Sequence, residues 1–135
     1  MFKTLFATFA SLTFFAGASA FGAPLYVNNG FVCKTRDAVT KLVAYETAIV
    51  NGAEVAAADY DAKVVEFGCK TFFGVAIEKK EEVLRYTGAY PMFGTWVPTG
   101  VVVVRAKVRV LDSEKEIDGF VFLPAGTKFP GEVEV

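Results

Sequence analysis

The sequence predicts an α+β fold, in which an N-terminal helical pair clasped by one disulfide packs on an antiparallel β-sheet or partial barrel of four to six strands. Three observations predict it. Apolar residues recur near a 3.6-residue period in two segments between Thr35 and Gly68. The chain's two cysteines, Cys33 and Cys69, bracket those segments. Past Cys69 the composition shifts to β-branched and aromatic residues punctuated by Gly and Pro.

Ahead of these elements, Met1 to Ala20 reads as a cleaved secretory signal peptide. Lys3 supplies a positive n-region, Leu5 to Ala16 is apolar and small, and Ala18-Ser19-Ala20 is a small-residue cleavage site. The rival reading, a retained membrane anchor, meets an interruption at Gly22-Ala23-Pro24. The expected mature chain, residues 21–135, is a single exported domain, periplasmic or secreted, with no stable membrane insertion after cleavage.

The first helix starts at Thr35 or Asp37, either able to cap an N-terminus. Its apolar face is Val39, Leu42, Val43, Ile49 and Val50, and Asn51-Gly52 stops it. A second, weaker periodic segment carries Val55, Tyr60, Val64 and Phe67, with Gly68 where a C-terminal cap belongs. In an antiparallel helical hairpin the start of the first helix lies beside the end of the second, where Cys33 and Cys69 fall. An exported domain with an even count is expected to pair them. The alternative, a redox pair, lacks the C-x-x-C spacing.

In the β-rich half, Thr71 to Glu78 and Val83 to Tyr90 read as strands separated by the charged turn Lys79-Lys80-Glu81-Glu82. The clearest strand is Val101 to Leu111, where Arg105, Lys107 and Arg109 alternate with Val104, Ala106, Val108 and Val110. Glu114 to Leu123 folds back on it through Asp112-Ser113. That pairing sets Arg109 against Glu116, Lys107 against Asp118, Val108 against Ile117 and Val104 against Val121, and a one-residue slip destroys the match. Gly131 to Val135 alternates again and offers one more short strand.

Composition excludes several functions. The chain has no His, which removes the Ser-His-Asp, Cys-His and His-zinc sites. Its formal net charge of −1 gives no global pull on nucleic acid. No carboxylate pair reads as a catalytic constellation, no calcium loop is visible, and no cofactor or metal is expected.

Two surfaces remain as candidates. Tyr86, Tyr90, Phe93 and Trp96 lie in a Gly- and Pro-punctuated stretch, Tyr86 to Gly100, where flat rings can meet a sugar ring or an extended peptide. The same rings can instead fold inward as a lid on the core. The stripe Arg105, Lys107, Arg109 is a secondary cationic surface for an anionic ligand, or a solvated sheet face answered by Glu116 and Asp118.

Cys33, Gly68-Cys69 and Gly94-Thr95-Trp96 together resemble small exported bacterial proteins with two cysteines and an SH3-like β half. The resemblance covers Phe31 to about Leu123 and implies a non-enzymatic binding domain with no ligand specified. The expected function is therefore an exported binding or interaction domain of the bacterial envelope, meeting an envelope polymer or a protein partner through the aromatic loop. The alternatives are a small carboxylate enzyme acting on a wall polymer and a subunit of an exported assembly.

Overall fold

The chain enters as a strand where the sequence pattern predicts none. In the computed structural model, which describes residues 24–131, β1 runs Leu25–Cys33, α1 Arg36–Val50, α2 Ala57–Phe67, β2 Cys69–Met92, β3 Thr95–Val110 and β4 Lys115–Pro124. Residues 26–127 form one unit. The expected signal peptide, Met1–Ala20, and all but the first residue of the expected strand Gly131–Val135 lie outside the described residues.

The α+β expectation is corrected. The fold is mostly β, an antiparallel four-stranded sheet closed as a barrel, with two short helices between β1 and β2. Cys33 and Cys69 are bonded, but they are the last residue of β1 and the first of β2. The disulfide thus joins two strands rather than clasping an N-terminal helical pair. A backbone bond from Lys34 N–H to the Gly68 carbonyl, 3.1 Å, lies next to it. The error has a physical source. β1, LYVNNGFVC, mixes two Asn and a Gly into its centre, residues depleted in strands, so periodicity alone did not reveal it.

α1 forms where its pattern places it, whereas α2 starts at Ala57 and leaves Val55, the first apolar residue of the predicted segment, in the loop between the helices. Thr35 caps α1 by accepting from Ala38 N–H at 3.0 Å, and Asn51 ends it. Gly68 ends α2 in the left-handed conformation, φ 93°, which a residue without Cβ adopts at little cost. The helices pack chiefly on β2 rather than on each other. Ala38, Val39 and Leu42 of α1 join Val64, Cys33, Cys69, Val103 and Phe120 in the core.

β2 is a single 24-residue strand, not two strands with a turn between them. The charged run Lys79 to Glu82 sits in the strand at two register shifts, between Lys79 and Glu81 and between Glu82 and Leu84. Such bulges bend a strand and increase its twist, which lets one long ribbon wrap a small barrel. β3 and β4 pair in the expected register, with Arg109 opposite Glu116, Lys107 opposite Asp118, Val108 opposite Ile117 and Val104 opposite Val121. β4 then meets β1 through Phe31, Val32 and Cys33. Gly119 permits that approach, since a Cβ there would stand 2.8 Å from Val32 Cγ1 and 3.0 Å from the Cys33 carbonyl oxygen.

β4 reaches along β3 only as far as the pair Val101 and Pro124. Beyond it β2 and β3 continue as a two-stranded arm, paired from Thr87 with Gly100 to Met92 with Thr95. The arm turns at Phe93 (φ 53°) and Gly94 (φ 79°), the two left-handed centres of a tight hairpin.

Candidate functional site

α1 carries one residue that breaks its apolar face, and it lines a cavity of this fold. Glu46 follows Leu42 by four residues and precedes Ile49 by three, so it lies on the same buried stripe. It is 5% exposed and is the only buried charged or polar side chain among the described residues. A carboxylate in that position must be satisfied locally, because burying it without partners is costly.

Three donors satisfy it. The Tyr60 hydroxyl on α2 donates to Oε2 at 2.5 Å. The Tyr86 hydroxyl on β2 donates to Oε1 at 2.8 Å, and the Ala89 backbone N–H reaches the same oxygen at 3.3 Å. One carboxylate thus ties together α1, α2 and β2. Gly88 makes room for it, since a Cβ there would lie 2.5 Å from Oε1. Both phenols are held well above the ordinary tyrosine range, first by burial and then by the negative charge of Glu46 beside them. They therefore remain neutral donors.

Around this group lies a cavity of about 580 Å³. Its walls come from α2 (Tyr60, Val64, Val65), β2 (Tyr86, Ala89, Tyr90, Pro91), the facing strand β3 (Thr99, Val101), the end of β4 (Phe122, Leu123) and Phe31 of β1. Edge-on contacts join Phe122 to Phe31, centroids 5.4 Å apart, and to Tyr86 at 6.2 Å. Asp61, Lys70 and Thr71, all exposed, supply charged and polar groups to the lining.

The four aromatics singled out from sequence separate into three environments. Tyr86 and Tyr90 both line the cavity. Trp96 is half-buried, its indole N–H donates to the Val55 carbonyl at 2.8 Å, and its ring lies 5.3 Å from that of Tyr60. It anchors the arm to the loop between the helices. Phe93 stands at the tip of the arm, 99% exposed. No common surface formed by all four is present among these contacts.

The cationic stripe is answered from both sides. Arg105 bonds Glu81 of β2 at 3.0 Å, and Arg36 of α1 lies 3.8 Å from the same carboxylate. Lys107 is flanked in register by Glu78 and Asp118, and Arg109 faces Glu116. Exposed pairs of this kind contribute little each, on the order of 0–1 kcal/mol.

The residue that sequence reasoning passed over is Glu46. Its signal was present in the helix pattern, as an acid at a position where the stripe Leu42, Glu46, Ile49 calls for an apolar side chain. A buried acid on an amphipathic helix needs donors, and the fold supplies the Tyr60 and Tyr86 hydroxyls. No protein-family model, curated protein or solved structure matches this chain, so the resemblance to exported proteins with an SH3-like half gains no support from known proteins.

Proposed function

We propose that this chain is an exported, non-enzymatic binding domain that takes a small, largely apolar ligand into the cavity beside Glu46. The observation that carries the reading is the cavity itself. Its volume of about 580 Å³ falls in the range of small-molecule sites, and it combines apolar and aromatic walls with a few placed polar groups. Tyr86 and Tyr90 give the aromatic stretch a role in it, as walls rather than as a loop surface. The cysteine pair and the signal-peptide pattern of the first 20 residues support export, since disulfides persist in oxidising compartments.

The test is to follow backbone amide signals of the oxidised protein while small aliphatic and aromatic molecules are added. Binding in the cavity moves the amides of Ala89, Tyr90, Val101 and Phe122 and leaves those around Phe73 and Leu111 in place. Shifts confined to Phe93 and its neighbours would instead mark the arm tip as the contact surface and overturn this proposal.

A further inference from the structure

The proposed ligand has a chemistry that the cavity wall specifies. Glu46 brings a carboxylate into an apolar, aromatic surround, yet all three of its hydrogen-bond partners are neutral: two phenols and a backbone N–H. None of the ion pairs formed by the described residues includes it. A carboxylate presents about four acceptor positions. Oε1 uses two of them, on Tyr86 and Ala89, while Oε2 uses one, on Tyr60. One acceptor position therefore remains on Oε2.

The surrounding walls suit a positive charge. Phe31, Tyr60, Tyr86, Tyr90 and Phe122 all line the cavity, and aromatic rings attract cations. The cation already in the lining, Lys70, sits with Nζ 5.2 Å from the Phe72 ring centroid, so it is engaged there. Asp61, the other charged lining residue, adds negative charge at the exposed edge.

We infer that the cavity selects a small organic ammonium ion. Its apolar body lies against Phe31, Tyr90 and Phe122, and its N–H groups donate to Oε2 of Glu46. This rests on the small-ligand reading above and adds the charge of the ligand to it. A charge-assisted hydrogen bond is about twice as strong as a neutral one, so an ammonium is distinguished from an alcohol of the same length.

The test uses three probes with one skeleton: hexylammonium, hexanol and hexanoate, titrated into the oxidised full chain. Binding is read from Trp96 fluorescence, which Tyr60 couples to the cavity, and from the Ala89 amide signal. Hexylammonium is expected to bind at least about ten-fold tighter than hexanol, with hexanoate weakest. Glu46→Gln is expected to abolish the preference while keeping hexanol binding. Tyr60→Phe frees an acceptor position on Oε2 and is expected to keep or raise the preference, which covers the case in which Glu46→Gln fails to fold. Equal affinity for hexylammonium and hexanol in the native chain would overturn the ammonium inference and leave the cavity reading intact. Silence of the cavity amides with all three probes would overturn both.

Discussion

Three donors converge on Glu46, so its removal strands several groups at once. Glu46→Ala leaves the Tyr60 and Tyr86 hydroxyls and the Ala89 N–H without their partner. Unpaired buried donors cost about 1–3 kcal/mol each at most, and partial rehydration through the cavity lowers the sum. The expected loss is about 3 kcal/mol in urea unfolding, and a loss under 1 kcal/mol would mean that water already serves these groups. The two phenols give a second prediction. Their folded-state affinity for protons is raised above that of the unfolded chain, so above about pH 10 the unfolded state binds fewer protons than the folded one. Stability must then fall as pH rises past that point. Tyr60→Phe and Tyr86→Phe should each make the alkaline decline shallower, by up to one proton's worth of slope, as followed by urea midpoints between about pH 9 and 11. At the arm tip, Phe93 occupies a left-handed position, φ 53°, that favours Asn and is unfavourable for other side chains by about 1–2 kcal/mol. Phe93→Asn should raise the thermal midpoint, since the ring stands there at a conformational cost while 99% exposed.

At the scale of elements, the hairpin β3–β4 was legible because its charges and apolar residues agree on one register, α1 because cap, stripe and stop coincide, and α2 because its stripe ends at Gly68. Lys79 to Glu82 misled because four consecutive charges usually mark a turn. Within a 24-residue strand they instead occupy bulges, where Glu81 meets Arg105 and Arg36 and Glu82 bonds Arg85 at 2.8 Å. Trp96 was ambiguous for a different reason: a ring in a Gly- and Pro-rich stretch packs inward only if a partner element lies beneath it, and the partner here, Val55, is 41 residues away in the chain. Trp96→Phe keeps an aromatic ring against Tyr60 but removes the indole N–H that the Val55 carbonyl accepts. Its expected cost is about 1–2 kcal/mol, with faster hydrogen exchange in the loop between α1 and α2. Unchanged exchange there would show that the arm does not hold the loop.

Across the whole molecule, β1 and β4 close the barrel through a short pairing. β2 and β3 pair over nearly their entire length, while β1 meets β4 through Phe31, Val32 and Cys33 alone. This seam also walls the cavity, because Phe31 and Phe122 pair across it and Cys69 lies in the lining. The disulfide is placed to hold it: bonding Cys33 to Cys69 fixes the end of β1 to the start of β2 around an insertion of two helices, over a sequence separation of 36. Chain-entropy arithmetic for a loop of that length gives about 4 kcal/mol, comparable with the whole stability of a marginal domain. Cys33→Ala with Cys69→Ala should therefore lower stability by about that amount, and the loss should not be uniform. Amides of β1 and the end of β4 should exchange first, since local opening follows the weakest pairing, while the Val102 to Val108 segment of β3 keeps its protection until global unfolding. If the seam opens in this way, hexylammonium binding weakens in the double variant even at temperatures where far-ultraviolet circular dichroism still reports a folded chain. Uniform exchange, or binding that survives loss of β1 protection, would separate the disulfide from the cavity and leave it as a purely global staple.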